Sequence, residues 1–518
     1  MKEKLGIVLI MTDTQGVNVI GCYGRPEMRT PNIDRLASQG IKFERAYTCC
    51  PVCGPARSSI FTGNYPHTTG VLANNIPLGM NIKTIGERLH DAGWHTAYIG
   101  KWHLSGTDYF DDGRCPPGWD PEYWYDGRCY LEELTREERL LWRQKMKTPE
   151  DIHKYGITEE FTWAHRCSNR AIDFLSKYSD ESPFFLVVSY DEPHGPSTCP
   201  PPFCDMFKDF EYKLGENVRD PLTSKPEHQR EWAEHANLPR DKETLKNPMY
   251  FGCNSFVDYE IGRVLEAVDK YAPDALVIFT SDHGTPLLSH GLSSKGPAMY
   301  DETTRIPFIV RWEGHVPKGK VCKYPVSHIN IVPTILEAAG LDIPPFIEGR
   351  SILSTLLDPE VKPNDYVFIE FTRYEINHDG WGGFQPIRCV FDGRYKLVIN
   401  LHYTDELYDL EKDPQEMINL IDSPEHEEIR DSLHDKLLEF MDKTRDVFRG
   451  PIWERRPWKN KRRMGWDGSG KTRPRPDDGY EPRVLLYETG LPVEKWEYDK
   501  RRLSTSNIKE TSRINKHS

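Results

Sequence analysis

The residues with the plainest chemical use lie in one stretch, Cys49-Cys50-Pro51-Val52-Cys53-Gly54-Pro55-Ala56-Arg57-Ser58-Ser59-Ile60-Phe61-Thr62-Gly63. Three cysteines fall within five residues, and the segment after them can start a helix. A thiol just before a helix N-terminus, with an arginine four residues on, sits in a positive field that favours an anionic or polarised nucleophile. Pro51 and Pro55 fix φ on either side and present Cys53 on a defined turn. Two blander readings stand beside this one. Buried thiols in a turn are common, because free cysteine behaves as a small apolar side chain. Cys50-Pro51-Val52-Cys53 is also a C-x-x-C pair of the redox or zinc kind, although no second pair follows at zinc-ribbon spacing.

Other reactive side chains stand at the ends of apolar runs. Residues 6–11 read as a strand buried on both faces of a parallel sheet. That strand delivers Asp13 at its carboxyl end, where α/β sheets place their ligands; an N-cap is the plainer reading of the same aspartate. The strand expected at 95–99 runs into Gly100-Lys101-Trp102-His103, and positions 101 and 103 share a face at strand spacing. The run 184–190 leads into Asp191-Glu192-Pro193-His194-Gly195-Pro196, which sets His194 on a turn. The run 275–280 delivers Ser281-Asp282-His283-Gly284, with Ser294-Lys295-Gly296 soon after. An adjacent Asp-His pair can hold one metal ion, and the glycine lets the backbone come close.

The elements that must position these residues alternate between strand and helix. Helices are expected near 31–37, 84–92, 159–178, 255–271 and 327–336, which makes an α/β chain. Two stretches break the rhythm, at 105–148 and 197–247, and read as insertions at the rim of the site. The first is dense in Trp, Tyr, Asp and Arg, which suit either a sugar or aryl group or a structural lobe. From residue 365 the pattern shifts to short strands and a helix over 427–444. The expected division is therefore a catalytic domain over 1–364, a small C-terminal domain over 365–450 and an extension over 451–518. Residues 453–475 hold nine Lys or Arg and three Trp before the chain turns acidic. This segment reads as an arm on the body or on a partner subunit of a homo-oligomer, or as a patch for a polyanionic substrate.

Hydrophobic residues make up 37% and charged residues 28% of 518, the composition of a globular enzyme. A net charge of −13 argues against nucleic acid as the main partner. No apolar run is long enough to cross a membrane, and the first is too short for a signal segment. The twelve cysteines form no dense framework, so the expectation is a cytoplasmic protein with reduced thiols.

The string Cys53-x-Pro55-x-Arg57-x-x-Ile60-x-Thr62-Gly63 resembles the signature of type I sulfatases, in which the cysteine is oxidised after translation to formylglycine. The resemblance continues in register through Lys101-x-His103, Pro193-His194-x-Pro196, Asp282-His283-Gly284 and Lys295-Gly296-x-x-Met299-Tyr300. It extends to Glu406-Leu407-Tyr408-Asp409-Leu410-x-x-Asp413-Pro414 and fades after about residue 450. It implies the alkaline-phosphatase-like α/β/α sandwich with a smaller C-terminal antiparallel-sheet domain, and a sulfuric ester hydrolase. The catalytic residues it implies are Cys53, Arg57, Lys101, His103, His194 and Lys295. In that reading Lys101 and Lys295 bind sulfate, His103 handles a proton, and His194 contacts the ester oxygen and protonates the leaving alkoxide.

The same resemblance implies one divalent metal ion, Ca2+ or, with the histidine ligand, Mn2+, held by Asp13, Cys53, Asp282 and His283. A sulfated saccharide is the expected substrate, with aryl sulfates open, and a formylglycine-generating maturase is the expected partner. One departure stands out: where these enzymes commonly carry a second aspartate after the first, this chain has Thr14. Related phosphonate monoester and phosphodiester hydrolases also lack it, which makes them the rival reading. A redox or metal-binding protein built on Cys49, Cys50 and Cys53 is the rival of another class.

Overall fold

The structure is a computed structural model that describes residues 5–142, 146–178, 183–376 and 383–459. The apolar runs become neighbouring strands because neither of their faces can be left in water. In chain order these are β1 (Gly6–Thr12), β2 (Ile41–Tyr47), β3 (His95–Gly100), β4 (Trp124–Tyr125) and β5 (Phe184–Ser189). A separate antiparallel ribbon, β6 (Tyr212–Lys213) and β7 (Thr244–Leu245), comes next. The large sheet is completed by β8 (Leu276–Ser281), β9 (Phe308–Arg311) and β10 (Lys320–Ser327). Its order is β10-β2-β9-β8-β1-β5-β3-β4, with β9 antiparallel to both neighbours and the other pairs parallel.

Register explains why the reactive residues meet. Thr12 pairs with Ser281, Met11 with Ser189, and Gly100 with Ser189. Parallel strands in that register release Asp13, Lys101, Tyr190 and Asp282 at one level, along the carboxyl edge of the sheet. The strand residues alternate between two cores. Val8 and Ile10 pack with Ile33 and Leu36 of helix α1 (Pro31–Ser38) and with the helices Trp163–Tyr178 and Pro248–Tyr271. Ile7, Leu9 and Met11 pack on the other face with Ile60 and Phe61 of helix α2 (Cys53–Thr62) and with helix Ile331–Ala338. This is the α/β/α sandwich.

The small sheet is β11 (Val367–Phe371), β12 (Ile387–Phe391), β13 (Tyr395–Asn400) and β14 (Glu406–Asp409), antiparallel in that order, with helix Glu427–Lys443 against it. One compact unit, ending at Arg449, holds both sheets, and the described residues from Gly450 on fall outside it. From residue 460 on, the basic segment expected at 453–475 lies outside the described residues. Among the described residues no helix is long and apolar enough to cross a membrane.

One stretch left open by the sequence takes one of its two readings, and one helix starts earlier than expected. The aromatics of 105–148 are mostly structural: Trp119, Tyr123, Trp124, Tyr125 and Tyr130 are buried, and β4 extends the main sheet. Tyr98 packs between Trp102 and Trp119 with centroids 4.9 and 5.0 Å away, so these rings cement a lobe and do not line a rim. The helix expected from 255 begins at Pro248, where Asn247 caps it by accepting from the Tyr250 N–H at 3.3 Å.

Candidate active site

Cys53 is the first residue of α2 and is only 1% exposed. Pro55, two residues on, takes a position whose N–H would have no intrahelical partner. The residue before the helix, Val52, is extended (φ −145°) and carries no capping oxygen. The cap comes from another loop: Asn74 Oδ1 accepts from the Gly54 N–H at 2.8 Å. The helix thus holds the thiol at its positive end with the first turn satisfied from outside.

Around that thiol the sheet edge assembles a buried charged cluster. Cys53 Sγ lies 3.2 Å from His283 Nε2, 3.7 Å from Asp13 Oδ1 and 2.8 Å from Lys295 Nζ. Ligand atoms of Asp13, Cys53, Asp282 and His283 all lie within 4.8 Å of one another. Lys295 Nζ is also 2.8 Å from His283 Nε2. Arg57 donates from Nε to Asp282 Oδ2 at 3.1 Å and lies 3.5 Å from Asp13 Oδ2; its Nη1 reaches the Lys101 carbonyl and Ser189 Oγ at 2.6 and 2.8 Å. Lys101 Nζ pairs with Asp13 at 2.7 Å and with Asp191 at 3.0 Å, and lies 3.8 Å from the Tyr109 ring centre.

The electrostatics follow from burial set against these partners. Burial opposes ionisation of Asp13, yet Lys101 and Lys295 hold its carboxyl well below the usual range. Burial and Asp13 push Cys53 up, but Lys295, Lys101 and His283 bring the thiol down to about 7. Asp282 is pushed up to about 6 by burial and by Asp13. Lys101 is held well above its ordinary range because Asp13 and Asp191 outweigh its burial.

The two histidines expected to move protons are both here and both held neutral. Burial and Lys101 bring His103 down to about 4, and burial, Lys101 and Lys295 hold His194 well below the ordinary histidine range. His194 Nδ1 lies 2.9 Å from both the Gly195 carbonyl and Tyr109 Oη, and that hydroxyl also bonds to Asp191. His103 Nε2 faces Asn75 Oδ1 at 3.3 Å, while its backbone N–H donates to Asp111 Oδ2 at 2.7 Å.

All nine sequence-predicted positions, Asp13, Cys53, Arg57, Lys101, His103, His194, Asp282, His283 and Lys295, fall in this one region. Thr14 adds donors: its hydroxyl reaches Asp13 Oδ1 at 2.6 Å and its N–H reaches Asp282 Oδ1 at 3.2 Å. Cys49 and Cys50 do not join the cluster as reactive thiols. Both are buried, burial pushes Cys49 up to about 12 and raises Cys50 well above the ordinary thiol range, and all twelve cysteines are free. Of the three cysteines in the redox or metal reading, Cys53 alone stands among the candidate ligands, so that reading gains no support from Cys49 and Cys50. Sequence reasoning passed over Asn74, Asn75, Tyr109 and Asp191. Only Asp191 carried a signal, as the first acidic residue after a buried strand.

A model described as Sulfatase matches residues 6–341 of this chain. The chain belongs to the sulfatase family. A second model, the C-terminal region of N-sulphoglucosamine sulphohydrolase, matches residues 289–443 and so takes in the small sheet. The sulfatase YidJ of Escherichia coli (strain K12) is 48% identical over 497 residues, covering 95% of this chain and 98% of that one. An N-acetylglucosamine-6-O-sulfatase of Bacteroides thetaiotaomicron is 25% identical over 503 residues, 82% of this chain and 84% of that protein. A protein solved with its substrate D-glucosamine-2-N,6-O-disulfate superposes with a TM-score of 0.70 at 21% identity, over 86% of this sulfatase and 99% of the other chain. The phosphonate monoester hydrolase of Silicibacter pomeroyi also reaches 0.70 at 22% identity, over 86% and 96%. Both superpositions report the fold.

Proposed function

We propose that this sulfatase cleaves sulfate monoesters of saccharides to alcohol and inorganic sulfate, through a formylglycine made from Cys53 and with one divalent cation. The observation that carries the reading is the convergence on Cys53 of a helix N-terminus, Lys295 and His283, with Lys101 and Arg57 buried behind them. Two carboxylates, an imidazole and the donor at position 53, within 4.8 Å of one another, form a set suited to calcium or manganese. When bound, such a cation supplies Lewis acidity at the ester oxygens and the nucleophile. Formylglycine, as its hydrate, supplies a nucleophile whose second hydroxyl lets sulfate leave without water attacking sulfur.

The remaining work belongs to the chain's own side chains. Arg57 orients both aspartates and so sets the positions of the ligand oxygens. Lys101 and Lys295 offset the charge that gathers on the sulfuryl oxygens, in a buried site where such charges act strongly. His103, neutral over the working pH range, is the base that takes a proton from the nucleophile's second hydroxyl. His194 keeps Nδ1 against Gly195 and Tyr109, which leaves Nε2 as the atom that protonates the leaving oxygen. An anionic ester between Lys101 and Lys295 opposes their repulsion of a proton on His194, and so charges the acid when substrate is present.

The saccharide preference rests on relatives that act on sulfated sugars, among them the N-acetylglucosamine-6-O-sulfatase and a Δ4,5-hexuronate-2-O-sulfatase of Bacteroides thetaiotaomicron. Hydrolysis of phosphonate monoesters is the second reading, favoured by Thr14 and by the fold shared with such a hydrolase. Twelve free thiols suit a reducing compartment, and we place the protein in the cytoplasm, where a host maturase acts on Cys53. The deciding experiment is peptide mass spectrometry on protein from its own host. The peptide with Cys53 should lose the mass that separates a CH2SH group from an aldehyde. Fully active protein with an intact Cys53 thiol would overturn the mechanism. Turnover of sulfated sugars against phosphonate monoesters separates the two substrate readings.

A further inference from the structure

Behind His103 the structure places a short relay that the sulfatase reading does not use. Asn75 Nδ2 donates to Glu375 Oε1 at 2.8 Å, and Asn75 Oδ1 lies 3.3 Å from His103 Nε2. A carboxylate only accepts, so Glu375 fixes which end of the Asn75 amide is the amino group. The carbonyl end then faces the imidazole and has no proton to give. A neutral imidazole carries one N–H, which must sit on Nε2 to satisfy that carbonyl. His103 Nδ1 is left with its lone pair, buried and with no hydrogen-bond partner among the described residues.

The backbone is arranged to keep this geometry. Asn75 (φ 63°) and His103 (φ 58°) both hold left-handed conformations that residues with a side chain rarely adopt. Asp111 pins the His103 N–H at 2.7 Å. On the other side, Asn74 N–H donates to the Tyr374 carbonyl at 2.9 Å, and Asn74 and Glu375 form a β-bridge. Glu375 arrives on the segment after β11, so the small sheet supplies the group that orients the relay.

We infer that Asn75 and Glu375 are positioning residues that lock His103 in its Nε2–H tautomer and so make Nδ1 the atom that takes the proton. This rests on the role proposed above for His103. The charged groups acting on the ring are Lys101, Arg57, Asp111 and Asp13, and none of them replaces the acceptor at Nε2.

The test combines a spectroscopic and a kinetic readout on the full-length matured enzyme. With isotope-labelled histidine, and His103 assigned by its loss in His103→Ala, the ring shifts should report Nε2–H in the wild type; a signal for Nδ1–H overturns the inference. Asn75→Leu removes the acceptor and should lower kcat far more than it changes KM, by up to the order of 10⁴ seen when a catalytic histidine is freed to take the wrong tautomer. Asn75→Asp sets two carboxylates together and should move the acid limb of the pH–rate profile upward. Adding Glu375→Gln to it puts a donor in place of the second carboxylate, so that position 75 accepts from both Gln and His103, and should recover activity over Asn75→Asp alone. Wild-type kcat and Nε2–H signal in Asn75→Leu would refute the lock. If His103→Ala keeps full activity, the assigned base is wrong, while the tautomer signal still decides the lock.

Discussion

The cap on α2 gives a direct test of how the site is held. Asn74→Ala removes the acceptor that, among the described residues, reaches the Gly54 N–H, at 2.8 Å, and no side chain on Val52 can replace it. A buried donor without a partner costs about 1–3 kcal/mol, and loss of a helix cap measured on its own costs about 0.5–2 kcal/mol. These describe the same lost bond, so the expectation is about 1–3 kcal/mol and not their sum. The cost falls on the first turn of the helix, where Cys53 stands, and every 1.4 kcal/mol of misplaced transition-state stabilisation is about tenfold in rate. Asn74→Ala should therefore lower kcat by roughly ten- to a hundredfold, and speed amide exchange in the first turn of α2. Asn74→Asp keeps an acceptor and adds charge at the positive helix end, so its first turn should stay protected. The readout is local because the lost bond belongs to one turn of one helix. Asn74→Ala with unchanged exchange in that turn and unchanged kcat would refute the reasoning.

Other expectations can be checked with standard methods. Burial disfavours charge on His67, but Glu370, whose Oε2 lies 2.6 Å from Nδ1, raises it overall. Its stabilisation is full below the ordinary histidine value of about 6.5 and lost as pH rises through the raised folded value. Melting temperature should therefore fall over that window in wild type and flatten in His67→Gln; equal slopes would contradict it. Lys396→Met strips Asp301 and Glu416 of an ammonium 2.6 and 2.9 Å away. Breaking such a buried network costs about 3–5 kcal/mol, read as a lower melting temperature; an unchanged melt would place these charges in solvent. Chelation should abolish turnover and lower the melting temperature, with calcium or manganese restoring both, whereas Asp13→Asn should leave neither metal able to restore them. Chelated enzyme with full activity would remove the metal from the reaction.

Much of the site was legible because its residues come directly after buried strands. β1, β3, β5 and β8 are runs too apolar for any place but the middle of a sheet, and a parallel sheet releases the next residues of each strand along one edge. Position in sequence was then close to position in space for Asp13, Lys101, His194 and Asp282. Asn74, Asn75 and Tyr109 lie in irregular segments, where no periodicity marks a side chain. Their partners, Gly54, Glu375 and Asp191, lie from 20 to 300 residues away. The aromatic stretch at 105–148 stayed open between two readings for another reason: composition is the same whether rings face a sugar or a core, and burial alone separates the two.

Thr14 joins what could and could not be read. The sequence marks it as the loss of an anionic ligand beside Asp13. With φ at 65°, the residue turns its N–H toward Asp282 and its hydroxyl toward Asp13, so one residue donates to both carboxylates. A second aspartate there would add a third carboxylate beside Asp13 and Asp282, where burial and Asp13 already push Asp282 up. Threonine instead holds the two carboxylates without adding charge. The departure from the family pattern trades a ligand for an orienting donor at the same place.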